Sequence, residues 1–289
     1  MIVDVCVTPP VPEALREITH LPPHLANYAE VYRSMAPFLE ALSRLTPEDV
    51  LAMMDQAGVD VAVIHAEDVE TTYGRKIPNE PVAALARAYP GRFVDFAGVD
   101  PNKGNEAVAE LDHCLRHLGM RGAVLGPWEH RTYSDDEKYF PIYEKCVEFD
   151  VPVWIHTSLN YSRSIPMDYG HPLRLDRVAV EFPDLKIIAG HAGWPWVLEM
   201  IAVAWRHPTV HMDISAIRPR YLGTPDTGWG PLLRYGQTIL KERLLFATAW
   251  PMQPFDRAVR EMRELPLRDE VLSLWLGGNA SKLLGLKEA

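Results

Sequence analysis

The segment LKIIAGHAGWPW, residues 185–196, joins a short apolar run to a histidine, and the same order of residues occurs a second time in the chain. The apolar run ends at His191, small residues and a proline break the strand, and a helical pattern begins at Trp196. The segment VPVWIHTS, residues 151–158, likewise ends its apolar run on His156. In parallel α/β folds, ligands bind at the carboxyl ends of the strands. Both segments therefore predict an imidazole at the functional edge of a parallel sheet.

The alternation of an apolar strand with an amphipathic helix continues along the chain. Eight strands are predicted, at residues 2–7, 59–64, 92–99, 121–125, 151–155, 185–189, 209–214 and 243–248. Alternating strands and helices are typical of a parallel sheet, and eight repeats indicate a (β/α)8 barrel, a fold of about 250 residues. We therefore expect one domain over residues 1–289. A doubly wound open sheet is the alternative, and the lack of a G-x-G-x-x-G motif after the first strand disfavours its dinucleotide-binding form.

Turn and cap signals divide the strands and helices. A long proline-rich segment, residues 9–45, follows the first strand and contains a predicted helix at 27–35. An insertion of this length is often a functional lid, and a cover for the barrel rim or a contact with a second subunit is an equal alternative. Thr46-Pro-Glu-Asp49 and Ser134-Asp-Asp-Glu137 have the spacing of capping boxes and predict two helix starts.

Composition and charge narrow the classes of function. The 39 acidic residues outnumber the 29 Lys and Arg residues, and the net charge of −10 without a basic cluster disfavours nucleic acid and anionic membranes as partners. No apolar run approaches the roughly 20 residues that span a bilayer, and acidic Asp4 makes the start unlike a signal peptide. Cys6, Cys114 and Cys146 are widely spaced and odd in number, so we expect no disulfide framework and a cytoplasmic location.

The two strand-end histidines are the leading candidates for chemistry. Adjacent strands lie about 4.8 Å apart, so we expect His156 and His191 to share one small-molecule substrate. A neutral imidazole is a suitable general base or hydrogen-bond donor near pH 7. The alternative for each is a core histidine bonded to the backbone. Asp213, near the end of the seventh strand, is predicted to orient His191 or to act as an acid or base, with a backbone-bonded carboxylate as the alternative.

Six further residues are weaker candidates for contacts with the substrate. His65 ends the second predicted strand. It is either a site residue or part of the barrel rim, and the sequence does not decide between the two. Arg163 and Arg218 lie in loops after strands five and seven and are candidate clamps for a substrate carboxylate, with a solvated surface arginine as the alternative. Three indoles that follow strands four, six and eight would either form a flat apolar pocket for a ring or pack the rim: Trp128, Trp194 and Trp250.

Four segments carry a likeness to a known family. They are VWIHT at 153–157, GHAG at 190–193, LLFATAWP at 244–251 and GNASKLLG at 278–285. With these segments the chain resembles the amidohydrolase superfamily, and most of all the branch that contains aminocarboxymuconate-semialdehyde decarboxylase, resorcylate decarboxylase and pyrone-dicarboxylate lactonase. The resemblance covers nearly the whole chain. It implies a TIM barrel, a small carboxylated substrate and a homodimer, for which the long first loop is a plausible interface.

The metal ligands of that family are only partly matched. The resemblance implies a metal on an H-x-H motif in strand one, the strand-five histidine, sometimes the strand-six histidine, and an aspartate after strand eight. His156 and His191 match, but Cys6-Val-Thr8 replaces H-x-H and Ala249 replaces the aspartate. Catalytic zinc generally needs three protein ligands. Cys6 is either a third, soft ligand or a buried apolar residue. We favour the buried residue, and we predict no tightly held metal and no other cofactor.

Three functions remain open on the sequence. The first, which we prefer, is metal-independent, lactonase-like hydrolysis of a small carboxylated cyclic or aromatic-derived molecule, with His156 and His191 as the acid–base pair. Ala249 counts against it, because the lactonase that the chain resembles uses an aspartate there as its base. The second is a lyase, a decarboxylase or hydratase, for a similar substrate. The third is a barrel that binds a small molecule without catalysis.

Overall fold

The computed structural model of the chain describes residues 1–19, 21–31, 41–42 and 44–287. The strands within this part are β1 Val3–Val7, β2 Val61–His65, β3 Glu67–Val69, β4 Arg75–Ile77, β5 Phe93–Gly98, β6 Ala123–Leu125, β7 Val153–His156, β8 Ile187–Gly190, β9 Val210–Asp213 and β10 Leu244–Leu245.

Helices separate most of these strands. They are α1 Pro12–Thr19, α2 Ala26–Val31, α3 Pro47–Ala57, α4 Glu70–Tyr73, α5 Asn79–Ala88, α6 Asn105–His113, α7 Pro127–His130, α8 Phe140–Glu148, α9 Leu173–Glu181, α10 Val197–Arg206, α11 Gly230–Gly236, α12 Phe255–Arg263, α13 Asp269–Ser273 and α14 Asn279–Leu284. A π-helical turn, Cys114–Leu118, extends α6, and a second, Leu274–Gly278, joins α13 to α14.

Eight strands form one parallel barrel. Their order is β1-β2-β5-β6-β7-β8-β9-β10, and neighbours pair in parallel. The end of the sheet returns to its beginning, because the Val5 amide donates to the Phe246 carbonyl at 3.1 Å and the Thr8 amide donates to the Trp250 carbonyl at 3.0 Å. The prediction of a (β/α)8 barrel is confirmed, and the open doubly wound sheet is wrong.

The two faces of each strand pack in different layers. Val61 and Val63 of β2 belong to the same buried cluster as Trp154 of β7. The alternate residues of β2, Ala62 and Ile64, belong to the cluster that includes the helices. Side chains alternate along a strand with a period of two. His65 therefore follows Val63 on the inner face, and His156 follows Trp154. This alternation places both imidazoles at the carboxyl end of the barrel interior.

The predicted helix starts had different outcomes. Thr46 caps α3 with a complete capping box: its Oγ1 accepts from the Asp49 amide at 3.2 Å, and the Asp49 carboxylate accepts from the Thr46 amide at 2.9 Å. The box predicted at Ser134 is wrong. Asp136 accepts instead from the Lys138 amide at 3.0 Å, starting a 3-10 turn that leads into α8. An Asx turn is thus formed two residues after the predicted cap.

The insertion after β1 holds α1, a 3-10 turn at Pro23–Leu25 and α2. The helix predicted at 27–35 is present from Ala26 to Val31, and residues 32–35 lie outside the described residues. A second addition, the antiparallel hairpin of β3 and β4, was not predicted. Its three-residue strands are too short and too charged to show a period of two. The three cysteines are buried and free, as expected.

Candidate active site

A cavity of about 320 Å³ opens at the carboxyl ends of the barrel strands. Three imidazoles reach it from strand ends, those of His65, His156 and His191. Its aromatic wall is made by Tyr28, Trp128, Trp154, Tyr161 and Trp194. Tyr28 comes from α2, so the insertion after β1 covers this cavity. No lysine or arginine is among the described residues that line it.

His156 and His191 face each other in this cavity. Their ring centroids are 4.8 Å apart and the rings are nearly perpendicular, with an interplanar angle of 69°. Burial lowers the pKa of His191, and burial together with the neighbouring His191 holds the pKa of His156 well below its usual range. Both rings are therefore neutral at pH 7. The Nδ1 atom of His156 is buried without a hydrogen-bond partner in the part of the chain that the structure describes, so a ligand is the natural partner for it.

His191 is held by the end of β9. Asp213 Oδ1 accepts from the amides of His191 at 3.0 Å and Ser215 at 2.8 Å, and it also accepts from the Ser215 hydroxyl. The Ser215 hydroxyl lies 2.7 Å from His191 Nδ1, and Trp154 Nε1 donates to Asp213 Oδ2 at 2.6 Å. Asp213 is fully buried and is not among the described residues that line the cavity. Asp213 thus bonds to neighbouring backbone amides, which was the stated alternative, and it also contacts His191 through Ser215; its catalytic role stays a prediction.

His65 occupies the neighbouring part of the cavity. Its Nε2 donates to the Val5 carbonyl at 3.0 Å, and its ring stacks on Phe96 with centroids 5.7 Å apart. Burial lowers the pKa of His65 to about 4, although the charge of Asp213 opposes the shift. His65 is thus a neutral, backbone-anchored ring whose Nδ1 lone pair is an acceptor.

The indoles divide between the cavity and the core. Trp128 lies 5.7 Å from the His156 ring and 6.0 Å from the Tyr28 ring, and Trp194 lines the same cavity. Trp250 is a correction to the predicted indole pocket. It is fully buried and stacks on Phe255 with centroids 5.8 Å apart, so it packs the rim, which was the stated alternative.

Trp154 was missed by the sequence analysis. It lies on the inner face of β7 beneath both histidines, and its ring centroid is 5.4 Å from that of His191. The signal was present in the sequence, because Trp154 precedes His156 by two residues and a strand repeats every two residues.

The two candidate arginine clamps lie elsewhere. Arg163 is exposed on the surface and pairs with Glu30 at 2.9 Å. Arg218 binds the buried carboxylate of Glu261 through both Nε and Nη2. Neither is among the described residues that line the cavity. The clamp hypothesis is therefore corrected, because each guanidinium already has a carboxylate within the protein.

A charged network that the sequence analysis also missed borders the cavity on the side of the β3–β4 hairpin. Arg75 Nη2 contacts Glu129 at 2.6 Å and Glu67 at 3.0 Å. Burial raises the pKa of Glu129, but His24 and Arg75 outweigh burial and bring this pKa below its usual value. The charge of these acidic residues is thus partly neutralised by the Arg75 guanidinium. This network could have been found from the sequence only by predicting the β3–β4 hairpin, which carries Glu67 and Arg75.

The residues at the family's metal position do not fit a metal. Burial, with the charges of Asp213 and Asp4, raises the pKa of the Cys6 thiol well above its usual range, so the thiol is protonated in this site. His191 Nδ1 is bonded to Ser215, so of its two ring nitrogens only Nε2 could bind an ion. Within residues 1–19, 21–31, 41–42 and 44–287, no group of three His, Cys, Asp or Glu side chains is placed to hold an ion. The absence of a resident metal stays a prediction.

The chain was also compared with models of known protein families. The family model described as Amidohydrolase matches residues 19–286. The chain belongs to the amidohydrolase family. The four segments that carried the resemblance lie within the matched range. The barrel that the resemblance implied is the fold observed.

Relatives of this amidohydrolase include named decarboxylases. It is 27% identical over 194 residues to decarboxylase orsB of Emericella nidulans, covering 57% of this chain and 53% of that protein. It is 23% identical over 283 residues to gamma-resorcylate decarboxylase of a Polaromonas species, covering 81% of this chain and 86% of that protein. The chain thus spans about half the length of the first and most of the second.

A solved structure shares the fold over nearly its full length. An uncharacterised TIM-barrel protein from Bordetella bronchiseptica matches with a TM-score of 0.83 and 28% identity, covering 98% of each chain. For the described residues, no helix is both long and apolar enough to span a membrane.

Proposed function

We propose that this amidohydrolase is a carboxy-lyase that removes CO2 from a small carboxylated ring, with His156 and His191 as its acid–base pair and without a resident metal. One observation carries the proposal: two neutral imidazoles, with ring centroids 4.8 Å apart, face a cavity with an aromatic wall. The names of both curated relatives above, each a decarboxylase, support the lyase over the hydrolase that we preferred on the sequence.

The imidazole pair can move the proton that such a reaction needs. On a ring with a hydroxyl next to the carboxylate, a neutral imidazole takes the hydroxyl proton. The resulting phenolate directs an electron pair to the ring carbon that bears the carboxylate, and this carbon takes the proton from the imidazolium. The bond to the carboxylate then breaks, its electron pair returns to the ring, and CO2 leaves. Solvent reprotonates the phenolate, so atoms and charge balance.

The aromatic wall favours a reaction that converts the substrate carboxylate into neutral CO2. A carboxylate in an apolar site without a paired cation is costly, whereas CO2 is neutral. Trp128 and Trp194 line the cavity together with the carboxylates of Glu67 and Glu129, and lysine and arginine are missing from the described lining residues. This arrangement disfavours the anionic substrate relative to its neutral product. It also explains why neither predicted arginine clamp is needed.

Metal-independent hydrolysis of a lactone remains the second candidate. The same observation supports it: His156 and His191 are neutral, and the family's metal ligands are only partly present. A neutral imidazole can also deprotonate water. The two candidates differ in their product. Decarboxylation releases CO2, and lactone opening releases one proton without CO2.

A panel of hydroxylated benzoates and lactones tests the choice. Wild-type protein, His156→Ala and His191→Ala are compared for CO2 release and for proton release, with the exposed His113→Ala as the matched control. The proposal expects CO2 from at least one acid, at least 100-fold less in both site variants and unchanged release in the control. Proton release from a lactone without CO2 from any acid would favour the second candidate. Equal CO2 release in all four proteins would rule out the assigned role of the pair.

We also propose that the protein is a cytoplasmic homodimer whose single domain covers residues 1–289.

A further inference from the structure

The Ser215 hydroxyl lies between a carboxylate and an imidazole. Asp213 Oδ1 accepts from this hydroxyl, so the only hydroxyl proton points away from His191. The oxygen of the hydroxyl, 2.7 Å from His191 Nδ1, is then an acceptor. The second neighbour of Nδ1 is the Ser215 carbonyl at 3.3 Å, which can only accept. Both contacts require the hydrogen of the neutral ring to be on Nδ1.

We propose that Ser215 is the positioning residue that makes His191 the proton acceptor of the pair. With its hydrogen held on Nδ1, His191 keeps its Nε2 lone pair for the substrate. The catalytic consequence rests on the proposed function, whereas the tautomer stands on the hydrogen bonds alone.

The same contacts fix the position of the ring. His191 has a φ of 64°, in the left-handed region that non-glycine residues rarely adopt. Its amide is held by Asp213 Oδ1 at 3.0 Å, the same oxygen that binds the Ser215 amide and hydroxyl. One carboxylate oxygen therefore joins the end of β8 to the end of β9. Asp213 ends β9 and Ser215 lies two residues further on, where its amide and hydroxyl both reach the Asp213 carboxylate.

The two histidines consequently differ. His191 Nδ1 has a fixed partner, whereas His156 Nδ1 has none among the described residues and is available to bind the substrate. His65 is anchored in the opposite sense, since its Nε2 is the atom that donates to the backbone. The groups around His191 include His65, His156, Trp154, Asp213 and Ser215. Of these five, only Asp213 carries a negative charge, and it contacts the ring through Ser215.

Nitrogen-15 NMR of histidine-labelled protein reads the tautomer without any substrate. We compare wild type, Ser215→Ala and Ser215→Thr, with Ser281→Ala on α14 as a distant control. Wild type and the control are expected to show His191 in the Nδ1–H form. The alanine variant is expected to show a substantial Nε2–H population, and threonine, which keeps the hydroxyl, restores the wild-type spectrum. Ser215→Cys replaces the alanine variant if the latter does not fold, because a thiol is a weak acceptor.

An unchanged tautomer in the alanine or cysteine variant would overturn the proposal, because the carbonyl alone would then hold the ring. For an acid that is turned over, Ser215→Ala is expected to lower kcat about 10- to 100-fold, the range typical of residues that orient a functional histidine, with KM nearly unchanged and activity regained in Ser215→Thr. A tautomer that responds as expected in a protein that releases no CO2 would refute the proposed function and leave the role of Ser215 standing.

Discussion

The Nδ1 atom of His156 has no described hydrogen-bond partner, whereas that of His191, whose ring centroid lies 4.8 Å away, is 2.7 Å from the Ser215 hydroxyl. The two imidazoles come from adjacent strands, and they look alike in the sequence because each follows an apolar run. Their surroundings give them different hydrogen-bonding roles. The proposed reaction uses this difference, with one ring accepting a proton and the other binding the substrate.

The pH dependence of the reaction should extend to acid. An ordinary histidine becomes protonated below about pH 6.5 and ceases to be a base. Burial lowers the pKa of both His156 and His191. We therefore expect kcat/KM for a decarboxylated acid to stay level as the pH falls through 6.5 and to decline only at lower pH. A decline centred at or above pH 6.5 in a rate profile would contradict the neutral, desolvated pair.

The stability of the protein should also depend on His65 in acid. The pKa of this residue is lowered from 6.5 to about 4 in the folded protein. Between these two values the unfolded chain binds more protons than the folded one, so the free energy of unfolding decreases as the pH falls through this window. The loss is about 3 kcal/mol at the acid end. Denaturant unfolding of wild type and His65→Gln at several pH values is expected to show a shallower slope in the variant, and parallel slopes would contradict this account.

Trp128 is expected to contribute to substrate binding. Its ring lies 5.7 Å from that of His156 and lines the cavity. An aromatic pair is worth about 1 kcal/mol beyond the area it buries, so Trp128→Ala should raise KM for a ring substrate by about fivefold. The exposed Trp205→Phe is the matched control and should leave KM unchanged. A KM in Trp128→Ala equal to that of wild type would show that the ring does not stack there.

The two arginines that were predicted as clamps should affect different properties. Arg218→Ala leaves the carboxylate of Glu261, which is 4% exposed, without its partner and should lower the free energy of unfolding by about 3 kcal/mol. Arg163→Ala breaks an exposed pair with Glu30 and should change stability by less than about 1 kcal/mol, with KM unchanged. Thermal or urea unfolding checks the first outcome. A large rise in KM for Arg163→Ala would return this residue to the site.

An apolar face of α10 offers a test of the homodimer. Leu198 and Trp205 are 61% and 58% exposed and lie seven residues apart, on one side of the helix. Exposed tryptophan in an apolar stripe is typical of interfaces. Light scattering should give a dimer for wild type and a monomer for Trp205→Glu, with Met167→Glu, exposed elsewhere, as a dimeric control. A dimer in both variants would place the interface elsewhere, and a monomeric wild type would refute the homodimer.

The sequence was informative where a short-range pattern determines position. Apolar runs that end in His156 and His191 predicted both the barrel and the residues at its mouth, because a parallel strand fixes where its last residue points. The same period of two applies to Trp154, whereas Ser215 lies just beyond the end of β9. Both were overlooked because neither residue type by itself signals chemistry. Ser215 has a role only through the partners that the fold gives it.

Positions in loops could not be predicted in the same way. Arg163 and Trp250 follow barrel strands in the sequence, but a loop residue is placed by long-range partners. These partners are Glu30 for Arg163 and Val7 with Thr8 for Trp250. The charged network around Arg75 depends on a hairpin of two three-residue strands, which carries no periodic signal.

The most direct test of the central claim is CO2 release by chelator-washed protein whose metal content is measured by elemental analysis in the same sample, with Cys6→Ser measured in parallel. The account predicts turnover of a hydroxylated benzoate at less than about 0.05 metal ions per chain, unchanged when divalent metal is added and retained in Cys6→Ser. Activity that rises in proportion to bound metal, and that is lost with the metal in Cys6→Ser, would contradict it and would assign Cys6, His156 and His191 to a metal centre.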